Sequence, residues 1–146
     1  MKNTRTQLSF FVLVLLIAAV LTCTACGPRY NPTAANITSR TELGEGSKTI
    51  TFLAVDGDNN AAMFTVHTDA EYLRGALEPL GLISGYESRY GLTVETVNGV
   101  KADFNTGGAY WALYEGDTYA NYGADGLAIA DGGCYSFVYT VYVAEG

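Results

Sequence analysis

The chain has little of what catalysis and nucleic-acid binding use. Among 146 residues there is one histidine, one tryptophan and three cysteines, and eight basic side chains face fifteen acidic ones. His67 has no cysteine near it in sequence, so no nucleophile–base pair is visible. So few His and Cys leave no cluster with metal-ligand spacing. Paired catalytic carboxylates would have to share a cleft, and the acids here fall mostly in turns. A net charge of −7 argues against nucleic acid and against direct docking on anionic lipid. No apolar run reaches the roughly 20 residues of a membrane-spanning helix. The expectation is a non-enzymatic protein with no cofactor and no metal site.

What is present begins with an export pattern. Lys2 and Arg5 precede an unbroken apolar run of twelve residues, Phe10 to Leu21, and then the small-residue stretch Thr22-Cys23-Thr24-Ala25-Cys26-Gly27. Charge, a short apolar core and a small-residue site form a secretory signal. Thr24-Ala25-Cys26-Gly27 resembles the lipobox of bacterial lipoproteins, which implies a signal peptide over 1–25 and acylation of Cys26. Cys23 stands where that pattern usually has Leu, and it is the other candidate for modification. A plain secretory signal is the alternative. The expected location is the extracellular face of a bacterial cell membrane, held by a lipid anchor. Removing Lys2 and Arg5 takes eight basic residues to six against fifteen acidic ones, so the charge moves from −7 to −9. Cleavage before Cys26 and lipid on that sulfur would leave Cys134 as a single thiol, read as a small buried residue at the start of the last strand.

Residues 26–47 are rich in Thr, Asn, Gly, Pro and Ser and show neither helical nor strand periodicity, so they read as a flexible tether. Residues 48–146, about 100 in number, suit one domain. Lys48 to Asp56 reads as a strand with Ile50, Phe52 and Ala54 on one face. Asp56-Gly57-Asp58-Asn59-Asn60 resembles a calcium loop but lacks the later glycine and the final glutamate, so it reads as a hairpin turn. Ala62 to Thr68 is a second strand with Phe64 and Val66 inward and Thr65 and His67 outward. Thr68-Asp69-Ala70-Glu71 has the form of a capping box. The stripe Leu73, Ala76, Leu77 and Leu80 predicts a helix ended by Gly81. Gly85 to Gly91 reads as a loop, Leu92 to Val97 as a strand, and Asn98-Gly99 as a two-residue hairpin turn. Cys134 to Val143 is a long final strand, apolar enough on both faces to be central.

The most distinctive stretch is Gly107 to Gly123, GGAYWALYEGDTYANYG. It holds the only tryptophan and four tyrosines, and it contains no Lys, Arg, His or Cys. It predicts a hairpin turning at Glu115-Gly116-Asp117, with Trp111 and Leu113 on one face and Tyr110, Ala112 and Tyr114 on the other. One face should pack and the other should be free to bind. Gly107, Gly108 and Gly123 would let a ligand approach the backbone closely.

Taken as a set, Gly85-Tyr86, Val97-Asn98-Gly99-Val100, Tyr110-Trp111-Ala112-Leu113-Tyr114-Glu115-Gly116, Tyr122-Gly123-Ala124-Asp125 and Asp131-Gly132-Gly133 resemble the transcobalamin-like carboxy-terminal domain of bacterial lipoproteins. The resemblance covers roughly Lys48 to Val143. It implies an α+β fold of β-grasp-like character, with a mostly antiparallel sheet and one packed helix. In the animal cobalamin carriers the similar domain closes over one side of the vitamin, while an α/α barrel holds the other. No barrel is present here, so any ligand is held by this domain alone or with a partner. The implied function is binding of a small organic ligand, cobalamin or another corrinoid, for uptake, with an importer or a surface protein as partner. Cobalamin would be a ligand rather than a cofactor. The candidate contacts are Tyr86, Tyr110, Tyr114, Tyr119 and Tyr122, with Asn98 and Asn121 as polar partners. The alternative is a surface module that docks a protein or a glycan, since tyrosine-rich faces serve both roles.

Overall fold

The computed structural model describes residues 35–143. The signal peptide at 1–25 and the lipidation residue Cys26 lie outside the described residues. The strands are β1 Asn36–Gly44, β2 Lys48–Val55, β3 Asn60–Thr68, β4 Ile83–Ser88, β5 Gly91–Val97, β6 Val100–Lys101, β7 Ala109–Glu115, β8 Thr118–Tyr119 and β9 Cys134–Val141. Two short helices, α1 Leu73–Leu77 and α2 Phe104–Gly107, complete the set. One sheet runs β1-β3-β2-β9-β7-β8 and a second runs β4-β5-β6.

This architecture corrects the α+β, β-grasp-like expectation. The fold is mostly β, with two sheets and helices of only five and four residues. The large sheet is also mixed, since β1 pairs parallel with β3 and β2 pairs parallel with β9. Strand content was under-read at two places. The reading of 26–47 as tether misses β1, because its residues are mostly exposed and carry no alternation to read. Its pairing comes from β3, and the chain then crosses the end of β3 to enter β2. Gly44 and Gly46 make that crossing, and a Cβ on Gly46 would sit 2.1 Å from the Thr68 carbonyl carbon. The Gly85 to Gly91 loop is in fact β4 and the turn into β5. The alternation is hidden there because β4 lies at a sheet edge and is exposed at four of its six positions.

The core lies on one face of the large sheet. Ile50, Phe52, Phe64, Val66, Trp111, Leu113, Tyr135 and Phe137 meet α1 (Leu73, Ala76, Leu77), the second sheet (Ile83, Leu92, Val97) and the return segment (Ala124, Leu127, Ile129). The opposite face carries a smaller cluster of Leu53, Val55 and Ala61, packed with Ile37, Met63 and Val138. Burial on both faces explains why β2 reads as nearly continuous apolar sequence.

Helix α1 starts four residues later than the capping box suggests. Thr68 Oγ1 accepts from the Ala70 N–H at 3.0 Å, and the chain runs on without helix, bending at Glu71, to an extended Tyr72 that bridges Ala128. The first helical N–H groups are satisfied from across the core instead. Leu73 donates to the Leu127 carbonyl and Arg74 to the Ala124 carbonyl, both at 2.9 Å. Gly81 ends this turn with φ +70°. Asn98 and Gly99 take positive φ values of 47° and 78°, as a type I′ turn requires. Cys134 opens β9 and is disulfide-bonded, which corrects its reading as a lone thiol; the other two cysteines lie outside the described residues.

Candidate functional site

The site is built where a hairpin stops short. Gly116, at φ +60°, turns β7 into β8, and Tyr114 pairs with Tyr119 and Glu115 with Thr118. One more bond, Ala120 N–H to the Leu113 carbonyl at 2.9 Å, ends the pairing. The chain from Asn121 to Gly123 then swings away, so the edge of β7 at Trp111 has no strand beside it. A hollow of about 380 Å³ opens in the gap. Its floor is Trp111, Leu113 and Phe137, one wall is Leu92 to Val94 of β5, and the other is the strap Tyr119 to Ala124, with Tyr110 at the rim. This size sits at the low end of small-molecule sites.

Trp111 braces the hollow as well as lining it. It is 7% exposed, its ring meets Tyr139 edge-on at 5.4 Å, and its indole N–H donates to the Glu95 carbonyl at 3.1 Å. That bond ties the large sheet to β5 of the small one. The expectation that one face of this strand packs while the other is free to bind is therefore modified. The packed face itself forms the floor, because the binding gap lies at the strand's edge and not on its outer surface.

The strap is aromatic and accessible. Tyr119 and Tyr122 are 56% and 66% exposed, and Tyr119 meets Tyr114 edge-on at 5.4 Å. Partial burial, with Tyr110 and Tyr114 as neighbours, pushes the Tyr119 hydroxyl above the usual phenol range. It stays protonated at neutral pH and can donate or accept a hydrogen bond. Gly123 lines the hollow with nothing within 4 Å of where a Cβ would stand.

Behind the strap lies its anchor. Arg74 donates to Glu78 at 2.6 Å, to Asp125 at 2.8 Å, and to Glu87. The hydrogen bonds it donates to Glu78, then to Glu87 and Asp125, raise the guanidinium further above its ordinary pKa. The second oxygen of Asp125 accepts the Leu92 N–H at 2.7 Å. Burial raises the Asp125 carboxyl, but the Arg74 and Leu92 hydrogen bonds and the Arg74 charge outweigh it, and the net pKa falls below the usual carboxylate range. Gly91 makes this contact feasible: its φ is +99°, and a Cβ there would lie 2.7 Å from Asp125 Oδ2. A second hollow of about 300 Å³ lies on the other side of the strap, lined by Glu115, Thr118 and Gly126 to Ala128 together with residues 119–122.

Of the seven residues picked out by sequence, Tyr110, Tyr119, Asn121 and Tyr122 line the first hollow. Tyr114 touches it only through Tyr119. Tyr86 is on exposed β4 and Asn98 is in the β5–β6 turn, and both lie outside the lining. Gly107 and Gly108 end α2 instead of flanking a ligand. The floor residue Phe137, the wall residue Leu92 and the anchor pair Arg74–Asp125 are not among the residues that the sequence singles out. They come from four separate elements, and only Asp125 adjoins a stretch whose composition stands out. No group of three or more His, Cys, Asp or Glu side chains among the described residues is placed to hold a metal ion. No helix among them is long and apolar enough to cross a membrane.

No family model matches the chain, and no curated protein matches it. Solved structures do match. Haptocorrin in complex with Cbi superposes with a TM-score of 0.56 at 15% identity, over 66% of this chain and 25% of that one, so the chain spans a quarter of haptocorrin and shares the fold of that part. A Ruminococcus gnavus protein, provisionally described as metal binding, superposes with a TM-score of 0.63 at 30% identity, over 66% of this chain and 100% of that one. Identity at that level over the whole of the second protein means that the chain belongs to the same family as this Ruminococcus gnavus protein.

Proposed function

We propose that this protein is a non-enzymatic, transcobalamin-like binding protein that captures a small organic ligand outside the cell for uptake, and that a corrinoid is the best-motivated ligand. The observation that carries the reading is the hollow at the open edge of β7, floored by Trp111 and walled by the tyrosine strap. Flat rings stack on Trp and Tyr, and tyrosine hydroxyls and the Asn121 amide suit a ligand with amide arms. The fold shared with haptocorrin supports the choice of ligand. A corrin ring with its side arms exceeds 380 Å³, so the hollow would grip one flank of it, with the rest exposed or covered by a partner such as an importer. The metal-binding description of the Ruminococcus gnavus relative is met here, on this reading, by a metal carried inside an organic macrocycle instead of by protein ligands. Membrane attachment through acylated Cys26 completes the proposal; it needs that sulfur free of a bridge to Cys134, and the mass of the amino-terminal peptide from a membrane fraction, lipid-bearing or linked to Cys134, tests it.

A second reading, a surface module for a protein or glycan, is favoured by the exposed aromatics outside the hollow. Phe104 and Tyr142 are 58% and 62% exposed and lie 6.3 Å apart, with Tyr110 beside Phe104. Calorimetric titration of the full chain with cyanocobalamin and cobinamide separates the two. Saturable binding that Tyr122→Ala weakens supports ligand capture. No heat at any soluble concentration overturns it in favour of the surface module.

A further inference from the structure

The large sheet ends in β1, and among the described residues no strand lies beyond it. This edge runs for nine residues, about 30 Å at 3.3 Å each, and seven of the nine are exposed. It carries neither the proline nor the lysine that commonly blocks such an edge. The ladder fixes which main-chain groups point outward. The Asn60 carbonyl accepts from Asp56, so the even-numbered residues of β3 face β2 and the odd-numbered ones face β1. Ser39, Thr41 and Leu43 stand opposite Ala62, Phe64 and Val66 and take their parallel bonds from the odd residues on either side. The N–H and C=O groups of Arg40 and Glu42 therefore point out along the free edge. Their side chains share the outer face of the sheet. Arg40 Nη1 touches Met63 Sδ at 2.8 Å, and Glu42 Oε1 bonds His67 Nε2 at 2.6 Å. Leu43, on the other face, packs on the main core.

We infer that β1 is a dimerisation edge, on which the β1 strand of a second copy lies antiparallel about a two-fold axis at Thr41. In that register Arg40 of each copy stands opposite Glu42 of the other. The residues whose main chain points outward are then the ones that exchange N–H···O=C bonds, and their charges are opposite. Centring the pair on Arg40 or on Glu42 sets like charges face to face instead. The alternation of sign thus selects one partner strand, its own copy, and one register. Thr41 meets its own copy on the core face, where a threonine pair also suits a sheet. The hollow beside β7 lies toward the opposite edge, so both copies keep theirs open. The interface stands whether or not that hollow binds a ligand.

Sedimentation velocity of the full chain over a range of concentrations tests this, with a concentration-dependent dimer expected. Arg40→Glu turns both cross-strand pairs from attraction to repulsion and should weaken the dimer at least about tenfold. It alters an exposed side chain and leaves the Glu42–His67 contact in place, so the fold should persist. Glu42→Arg should weaken the dimer as much. Mixing the two single variants should restore it as a heterodimer, and so should both changes in one chain. Arg89→Glu, the same charge change in the β4–β5 turn, should leave it at parent strength. A parent that stays monomeric at every soluble concentration overturns the inference. So does a dimer that Arg40→Glu leaves intact or that Arg89→Glu weakens equally, and so does failure of both the mixture and the double variant to restore it.

Discussion

Replacing Trp111 with Phe tests whether this residue joins the two sheets. The change removes the indole N–H that donates to the Glu95 carbonyl and one fused ring from a nearly buried position, while leaving a ring to face Tyr139. The hydrogen bond contributes about 1 kcal/mol. The lost ring surface adds about 1–2 kcal/mol at the usual value per buried carbon. No penalty for an orphaned acceptor is due, because Glu95 O also accepts the Ala102 N–H at 2.8 Å. The total is about 2–3 kcal/mol, or a fall in Tm of roughly 8–15 °C for a domain of this size. Thermal and urea melts followed by far-UV circular dichroism measure it. A Trp111→Phe protein that melts within about 2 °C of the parent would refute the strut, because even the hydrogen bond alone should exceed that. Trp111→Ala should cost about 3–5 kcal/mol, as large-to-small changes in a core do.

Leu77→Asp places a carboxylate at a position with no solvent exposure and should unfold the chain, read as loss of the cooperative melt. Tyr122→Ala removes a side chain that is 66% exposed, so it should cost no more than about 0.5 kcal/mol in stability while weakening ligand binding, measured on the same sample. The carboxyls of Asp56, Asp69, Asp103 and Asp125 all lie below their ordinary pKa in the folded chain. Such groups add stability above the unfolded value of about 4 and lose it as pH falls from there through the folded values. The urea midpoint should therefore hold from neutral pH down to about 5 and drop below about 4, and Asp125→Asn should shrink that acid-side drop.

The strands with strong local signals were legible in the sequence. β2, β3 and β9 show apolar runs or alternation, the Asn98-Gly99 dipeptide adopts the turn it predicts, and the Leu73–Leu77 stripe faces the core. Elements whose pairing is imposed from elsewhere were not. β1 is polar and is held by β3, β4 is an exposed edge, and the start of α1 is set by carbonyls of Ala124 and Leu127, some fifty residues away in sequence. The site divides in the same way. The rings of the strap stand out by composition, so Tyr110, Tyr119 and Tyr122 could be named. The hollow itself exists because β8 stops after two residues, and Leu92 and Phe137 reach it through packing that no local pattern records. Tyr86 and Asn98 share the composition of the site residues but belong to the far hairpin.

The measurement that bears most directly on the central claim is a backbone amide NMR titration of the full chain with cobinamide. Capture at the open edge of β7 predicts saturable shifts concentrated at Thr93, Trp111 and Tyr119 to Ala124, with β1 and the Asn98-Gly99 turn unmoved. Shifts absent throughout, or centred on Phe104 and Tyr142 with the strap silent, would contradict it.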